Sequence, residues 1–159
     1  MDKPTLYLET SVISYLAALP SRDPTTARNQ RITREWWDTR RKDFELHSSG
    51  FVIEEAEQGD EVYARRRLAL LKGINLLPAQ PIAERLASEL LRSIPLPAKA
   101  AQDASHIAIA AVGGMGYLLT WNCKHIANPR LQLRIRQAVR KAGFVEPLLC
   151  TPADLMAGR

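Results

Sequence analysis

The sequence predicts an α/β fold, a three-layer α/β/α sandwich around a mainly parallel sheet of about five strands. Short apolar runs, suited to buried strands, alternate with segments of helical periodicity along most of the chain. The runs are apolar on both faces, which is typical of parallel strands that helices cover on two sides. Right-handed crossovers between such strands would stack the helices into the two outer layers.

The predicted strands are bounded by polar or turn residues: Thr5–Leu8, Phe44–His47, Ile74–Leu77, Tyr117–Trp121 and Pro147–Cys150. Helical spacing and helix-breaking residues predict the intervening helices, of which the first ends at about Leu19 and the second runs from an N-cap at Thr25 or Thr26 to about Lys42. A later helix runs from an N-cap at Asp60 to Gly73. The other predicted helices are Val52–Glu57, Ile82–Leu91, Lys99–Val112, Pro129–Ala142 and a short one after Pro152. The helix from Lys99 is rich in alanine and apolar nearly all round, so it should pack inside the fold.

Length and composition fit one globular unit. A chain of 159 residues, with 46% apolar and 25% charged residues, is expected to form a single domain over residues 1–159. The longest strongly apolar run, Ile107–Val112, is far shorter than the ~20 residues of a membrane span. The sequence opens on Met1 and Asp2 and enters a strand without a basic and apolar leader, so a cytoplasmic protein is expected.

Charge favours contact with polyanions. The net charge is +5 and the pI is near 9.5. The basic stretches Arg40–Lys42, Arg65–Arg67 and the helix from Pro129 would hold an RNA backbone or an acidic partner, or they are solvated faces. The two cysteines, Cys123 and Cys150, lack the spacing of a zinc or redox motif, and both are interpreted as buried thiols.

Polar and acidic residues follow the predicted strands. Glu9 ends the first strand, Glu54 and Glu55 come shortly after the second, and Asn122 follows the fourth. Asp103 stands near the start of the apolar helix, where an unpaired carboxylate is costly to bury. Ligands of open α/β sheets bind outside the carboxyl ends of the strands, so these side chains are the candidate site.

Clustered carboxylates repel one another, and their pKa values rise unless a cation neutralises them. Mg²⁺ and Mn²⁺ prefer oxygen ligands and leave positions open for waters and phosphate groups. Phosphodiester hydrolysis needs an activated water, charge neutralisation on the phosphate and stabilisation of the leaving oxygen, all of which such ions supply. The pattern therefore predicts Mg²⁺-dependent or Mn²⁺-dependent hydrolysis of a phosphodiester bond.

Four motifs, in order, resemble the acidic motifs of PIN-domain nucleases: Tyr7–Ser11, Ser49–Glu55, Asp103–Ala108 and Leu119–Asn122. In size and layout the chain is most similar to the VapC-like toxins of bacterial type II toxin–antitoxin pairs. The resemblance implies a magnesium-dependent endoribonuclease with a parallel sheet flanked by helices. It also implies a homodimer and a cognate antitoxin protein as partner.

The resemblance places the catalytic and metal-binding roles on Glu9, Glu55, Asp103 and Asn122. Glu9 stands where the family usually has Asp, and Asn122 offers an uncharged amide oxygen in place of a fourth acid. Glu54 and Glu55 compete for the second position. Glu55 is favoured because it lies six residues after Ser49, as in the family pattern, and Glu54 would then face solvent.

Plainer interpretations remain open at each position. Glu9 and Asp103 would serve as helix caps, and Asn122 would belong to an ordinary turn. His106 lies one turn after Asp103 on the same helix face, where it reaches the cleft or is a hydrogen-bonded core residue. His125 touches phosphate or lies in a solvated loop. The alternative function is accordingly an RNA-binding module of this fold with little or no catalysis.

Overall fold

The computed structural model describes residues 2–97 and 100–157. It contains a five-stranded, all-parallel sheet in the order β3-β2-β1-β4-β5. The strands are β1 (Thr5–Leu8), β2 (Glu45–Ser49), β3 (Asn75–Leu77), β4 (Tyr117–Leu119) and β5 (Leu148–Cys150). The predicted α/β fold, with a parallel sheet between layers of helices, is confirmed.

Helices connect successive strands. Their bounds are α1 (Thr10–Ala17), α2 (Pro24–Thr39), α3 (Gly50–Ala56), α4 (Glu61–Leu71), α5 (Pro81–Ser93), α6 (Ala101–Val112), α7 (Pro129–Lys141) and α8 (Pro152–Ala157). Within the described ranges, none of these helices is both long and apolar enough to cross a membrane.

The second strand extends further than its apolar run. The sequence predicts an end at His47, but Ser48 and Ser49 continue the ladder with β3. Their hydroxyls are satisfied inside the fold, because Ser48 donates to the Leu8 carbonyl at 3.1 Å and Ser49 accepts from the Val52 amide at 3.2 Å. Ser49 is therefore both the last strand residue and the N-cap of α3, and no loop separates the two elements.

Two details of α2 differ from the prediction. Asp23, and not Thr25 or Thr26, is the N-cap, since its carboxylate accepts the Thr26 amide at 2.8 Å. The helix ends before Lys42, which lies in a short 3-10 turn. The Asp60 cap of α4 is confirmed, and its carboxylate accepts the Val62 amide at 2.9 Å.

Helix α6 lies within the fold, as its composition predicts. The predicted first residue, Lys99, lies outside the described residues, and the helix begins at Ala101. Its buried side chains are Ala104, His106, Ile107, Ala108, Ala110 and Ala111. Small side chains allow the close approach of neighbouring elements, and the one large polar group among them, His106, requires a partner.

The two cysteines differ in exposure. Cys150 at the end of β5 is buried, as predicted, and burial raises the pKa of its thiol to about 12. Cys123 is exposed in the turn after β4. The interpretation of both cysteines as buried thiols is therefore wrong for Cys123, because this residue lies outside the sheet that the helices cover.

The strand order determines where a ligand site can form. From β1 the chain moves to one side of the sheet through β2 and β3, and it then crosses to β4 and β5 on the other side. The carboxyl ends of β1 and β4 flank the point of reversal, where helices leave in opposite directions and open a crevice. Glu9 follows β1 and Thr120 follows β4, so both stand at this crevice.

Candidate metal centre

Three side chains from separate elements converge at the crevice. Glu9 lies between β1 and α1, Glu55 is on α3, and His106 is on α6. One potential ligand atom from each lies within 4.8 Å of the other two. His106 Nε2 is 2.7 Å from Glu55 Oε1 and 3.9 Å from Glu9 Oε2.

The Glu9 carboxylate is buried and fixed by hydroxyl groups. Only 7% of the residue is exposed. Its Oε1 accepts hydrogen bonds from the hydroxyls of Ser11 and Thr120, the latter at 2.6 Å. Because both bonds go to the same oxygen, Oε2 is left directed at His106. Hydroxyl donors offset part of the cost of removing a carboxylate from water.

The hydroxyls themselves are held by the backbone after β4. Ser11 Oγ accepts the Trp121 amide at 2.8 Å, and Thr120 Oγ1 accepts the Asn122 amide at 2.9 Å. Since each hydroxyl accepts from the backbone, its own proton is directed at Glu9. Ser11 of the first motif and Thr120 of the fourth thus form one network around the Glu9 carboxylate.

Glu55 is half-buried and carries two hydrogen bonds on one oxygen. Thr10 and His106 both contact its Oε1. Partial burial by itself would raise the pKa of this carboxyl, but the hydrogen bond and charge of His106 and the bond from Thr10 together hold the pKa below its ordinary value. The carboxylate is therefore charged at neutral pH.

A phenol orients the imidazole. His106 is 1% exposed, and its Nδ1 lies 2.9 Å from the hydroxyl of Tyr7, which is itself 2.8 Å from Ser49 Oγ. Burial raises the pKa of the Tyr7 phenol well above its ordinary value, so Tyr7 keeps its proton. Because a carboxylate only accepts, Nε2 donates its proton to Glu55 Oε1, and it must release that proton before its lone pair can bind a cation.

Two of the four predicted site residues join this cluster. Glu9 and Glu55 do, whereas Asp103 does not belong to this group of acidic and histidine side chains in the described part of the chain. Asp103 Oδ2 is 2.8 Å from Nδ1 of His125, and Asn122 Oδ1 accepts the His125 amide at 3.0 Å. Their ligand roles stay predictions, and Asn122 occupies the turn that was its plainer interpretation.

The choice between the adjacent glutamates follows their placement on α3. Glu54 is exposed, and Glu55 points to the cluster, as predicted. His106 was not assigned a ligand role from the sequence. The available signal was its spacing of three residues from Asp103, which places both on one helix face.

The donor set fits a divalent cation. Two carboxylates at short range, one of them buried, repel each other unless a positive charge lies between them. Carboxylates suit both Mg²⁺ and Mn²⁺, while an imidazole ligand favours the transition metal over Mg²⁺.

Several basic side chains are engaged within the fold. Arg67 Nε donates to the Ala56 carbonyl at 3.0 Å, which supports the end of α3. Arg136 and Arg140 on α7 both pair with Glu146, at 3.3 and 3.0 Å. Arg65 on α4 is exposed, so that helix still presents positive charge to solvent. The basic tracts thus divide between structural and solvent-facing roles.

Comparison with protein-family models and with curated proteins finds no match to this chain.

Proposed function

We propose that this protein is a metal-dependent endoribonuclease that hydrolyses RNA phosphodiester bonds with Mn²⁺ or Mg²⁺ at Glu9, Glu55 and His106. The observation that supports it is the convergence of two carboxylates and one imidazole within 4.8 Å at the reversal point of a parallel sheet. When bound, the cation would neutralise the phosphate and lower the pKa of the attacking water.

The protein's own residues prepare the site in three ways. Ser11 and Thr120 hold Glu9 so that one oxygen faces the cluster. Thr10 donates to the same oxygen of Glu55 that His106 contacts. Rigid placement of these groups before substrate arrives means that little reorganisation is needed during the reaction.

The cluster also sets an order of binding. A phosphate group approaching Glu9 and Glu55 alone would meet two negative charges, so the cation must be present before RNA can enter. The net charge of +5 attracts the RNA chain to the surface as a whole. Metal-free protein should therefore bind RNA on its basic faces but should not place a phosphate at the cluster.

The biological setting follows from the resemblance to VapC-like toxins. We propose a cytoplasmic toxin that forms a homodimer and is inhibited by a cognate antitoxin. A short reading frame next to the gene, whose product co-purifies with this chain, is the expected finding. Isolation of the chain as a monomer with no such neighbour would contradict this setting and leave the nuclease proposal intact.

The test of the activity is cleavage of a mixed RNA pool at saturating Mn²⁺, with EDTA as the metal-free control. Groups that act through one cation lose nearly all their effect when one is removed. The variants Glu9→Gln, Glu55→Gln and His106→Asn should each cost about as much activity as the triple change, and Glu57→Gln on the exposed end of α3 should match the wild type. Circular dichroism confirms that each variant folds. Wild-type cleavage by Glu55→Gln would refute the mechanism.

The second candidate is an RNA-binding module with weak or absent catalysis. It is favoured by the pairing of Asp103 with His125, which leaves two carboxylates at the cluster instead of the three or four acids that the resemblance implies. Tight RNA binding by a folded wild type that cleaves nothing in Mn²⁺ would establish this candidate.

A further inference from the structure

A cavity of about 360 Å³ opens beside the metal centre. It lies between the start of α3, the segment after β3 and the outer face of α6, and two of its lining residues belong to the cluster's surroundings. Ser49 bonds Tyr7, and the Phe51 ring stands edge-on to His106 with 5.0 Å between ring centroids. A ligand in this cavity would therefore lie next to the proposed cation.

The size and walls of the cavity suit a planar organic group. Small-molecule sites usually enclose about 300–1,000 Å³. Phe51, Leu77, Pro78 and Ile109 supply apolar surface. In single-stranded RNA the unpaired bases are free to leave the stack and lie against such surfaces.

The polar groups of the cavity select against phosphate. Glu54 and Glu84 line it together with the amide of Gln80 and the hydroxyl of Ser105, and none of its described lining residues is Lys or Arg. Carboxylates accept hydrogen bonds and repel anions. The preferred ligand is thus a base that presents N–H donors.

We propose that this cavity is a base-binding subsite that takes a guanine of the RNA next to the phosphate that is cut, an inference that rests on the proposed nuclease function. Guanine presents N1–H and an N2 amino group side by side, and these two donors match the two oxygens of one carboxylate. Adenine and cytosine offer one amino group beside an acceptor. Uracil offers a single N–H flanked by two carbonyl oxygens, which a carboxylate repels.

The adjacent glutamates then have separate roles. Glu55 turns into the cluster, while Glu54, the preceding residue on α3, is exposed and lines the cavity. A guanine held by Glu54 would bring its own backbone within reach of the cluster of Glu9, Glu55 and His106. One short helix would thereby couple the choice of base to the position of the cut.

The binding test uses metal-free protein, with guanosine and uridine as probes and amide chemical shifts as the readout. Guanosine should bind tighter than uridine, and Glu54→Gln should weaken guanosine binding by about tenfold or more because a charged acceptor is removed. Glu57→Gln, which removes an equal charge from the same helix end outside the cavity, should not. A second variant, Gly50→Leu, should also weaken guanosine binding, because the leucine side chain can enter the cavity that Gly50 lines. The backbone has room for this change, since a Cβ at Gly50 meets no atom within 4 Å.

The cleavage test maps cut sites in a random RNA pool. Wild-type cuts should share a guanine at one fixed position, and Glu54→Gln should lose that preference. Equal affinity for guanosine and uridine, or unchanged guanosine affinity in Glu54→Gln, would overturn the inference. Metal-dependent cleavage without base preference would overturn the guanine subsite and leave the nuclease proposal standing. Guanosine binding by a protein that cuts no RNA would overturn the nuclease proposal and leave guanine binding in the cavity standing.

Discussion

Replacement of Thr120 by valine tests whether the hydroxyl network holds the buried carboxylate. Valine keeps the shape of the side chain and removes the hydroxyl, which lies 3.4 Å from Ser11 Oγ and makes two shorter hydrogen bonds: one donated to Glu9 Oε1 at 2.6 Å and one accepted from the Asn122 amide at 2.9 Å. Thr120 is fully buried, so water cannot easily replace the missing hydroxyl.

The expected destabilisation follows from these two hydrogen bonds. A hydrogen bond to a charged group contributes about 1.5–3 kcal/mol and a neutral one about 1 kcal/mol. Because Ser11 still holds the same oxygen of Glu9, we expect the free energy of unfolding to fall by an amount near the lower end of the sum of these two contributions, about 2–3 kcal/mol. For a chain of this size that corresponds to a fall in melting temperature of roughly 4–12 °C.

The assay is thermal and urea unfolding of metal-free protein, followed by circular dichroism. The matched control is Thr39→Val, which removes an exposed helix hydroxyl that donates to the Glu35 carbonyl and should change the free energy of unfolding by less than about 0.5 kcal/mol. If Thr120→Val unfolds with the stability of this control, Thr120 does not hold Glu9 and the hydroxyl network does not fix the carboxylate.

Three further predictions concern the imidazole, the half-buried carboxylate and the basic surface. Tyr7→Phe should lower the free energy of unfolding by about 1–3 kcal/mol, because it leaves His106 Nδ1 without a partner. It should also weaken Mn²⁺ binding roughly 10–100-fold in calorimetric titration. Unchanged Mn²⁺ affinity would show that Tyr7 does not orient the imidazole ring. Because the pKa of Glu55 is lowered on folding, its contribution to the free energy of unfolding of metal-free protein is full above the ordinary value of 4.5 and is lost as the pH falls below it. The variant Glu55→Gln should lose this part of the acid sensitivity. Equal profiles of the free energy of unfolding against pH for the two proteins would contradict the lowered pKa. Replacing Arg65 and Arg66 by glutamine should make the affinity for single-stranded RNA less dependent on salt. The slope of log affinity against log salt concentration, measured by fluorescence anisotropy, should fall by about 0.7 for each phosphate that these side chains no longer bind. An unchanged slope would show that RNA does not bind this face of the protein.

Much of the candidate site's location is predictable from the sequence, because the end of each apolar run marks the carboxyl end of a strand, where ligands of parallel sheets bind. The positions of Glu9 and Glu55 after apolar runs predict that they belong to the site, and the rule that ligands bind at the carboxyl ends of parallel strands brings them together. The preference for Glu55 over Glu54 rests on its spacing from Ser49, and in the structure Glu55 lies in the cluster with Glu9 and His106.

The role of His106 is not predictable in the same way. It lies inside a nearly continuous apolar helix, where a histidine is usually a hydrogen-bonded core residue, and only the packing of α6 against β1 and α3 directs Nε2 to the carboxylates. Asp103, on the same helix face, meets His125 from a loop that is distant in sequence. Such contacts depend on tertiary register, which local patterns do not encode.

Predicted boundaries differ from the structure where a polar side chain finds its partner within the fold. Ser48 and Ser49 suggest the exit of a strand, but the Leu8 carbonyl and the Val52 amide satisfy their hydroxyls and let the strand continue. Asp23 takes the capping role expected of Thr25 or Thr26 because its carboxylate reaches the Thr26 amide.

The most direct test of the central claim is pulsed electron paramagnetic resonance of the protein loaded with one equivalent of Mn²⁺. If Glu9, Glu55 and His106 bind the ion, the spin-echo modulation should contain a ¹⁴N coupling from an imidazole nitrogen, and His106→Asn should abolish that coupling. A tightly bound Mn²⁺ without nitrogen coupling, or with a coupling that persists in His106→Asn, would contradict the proposed centre.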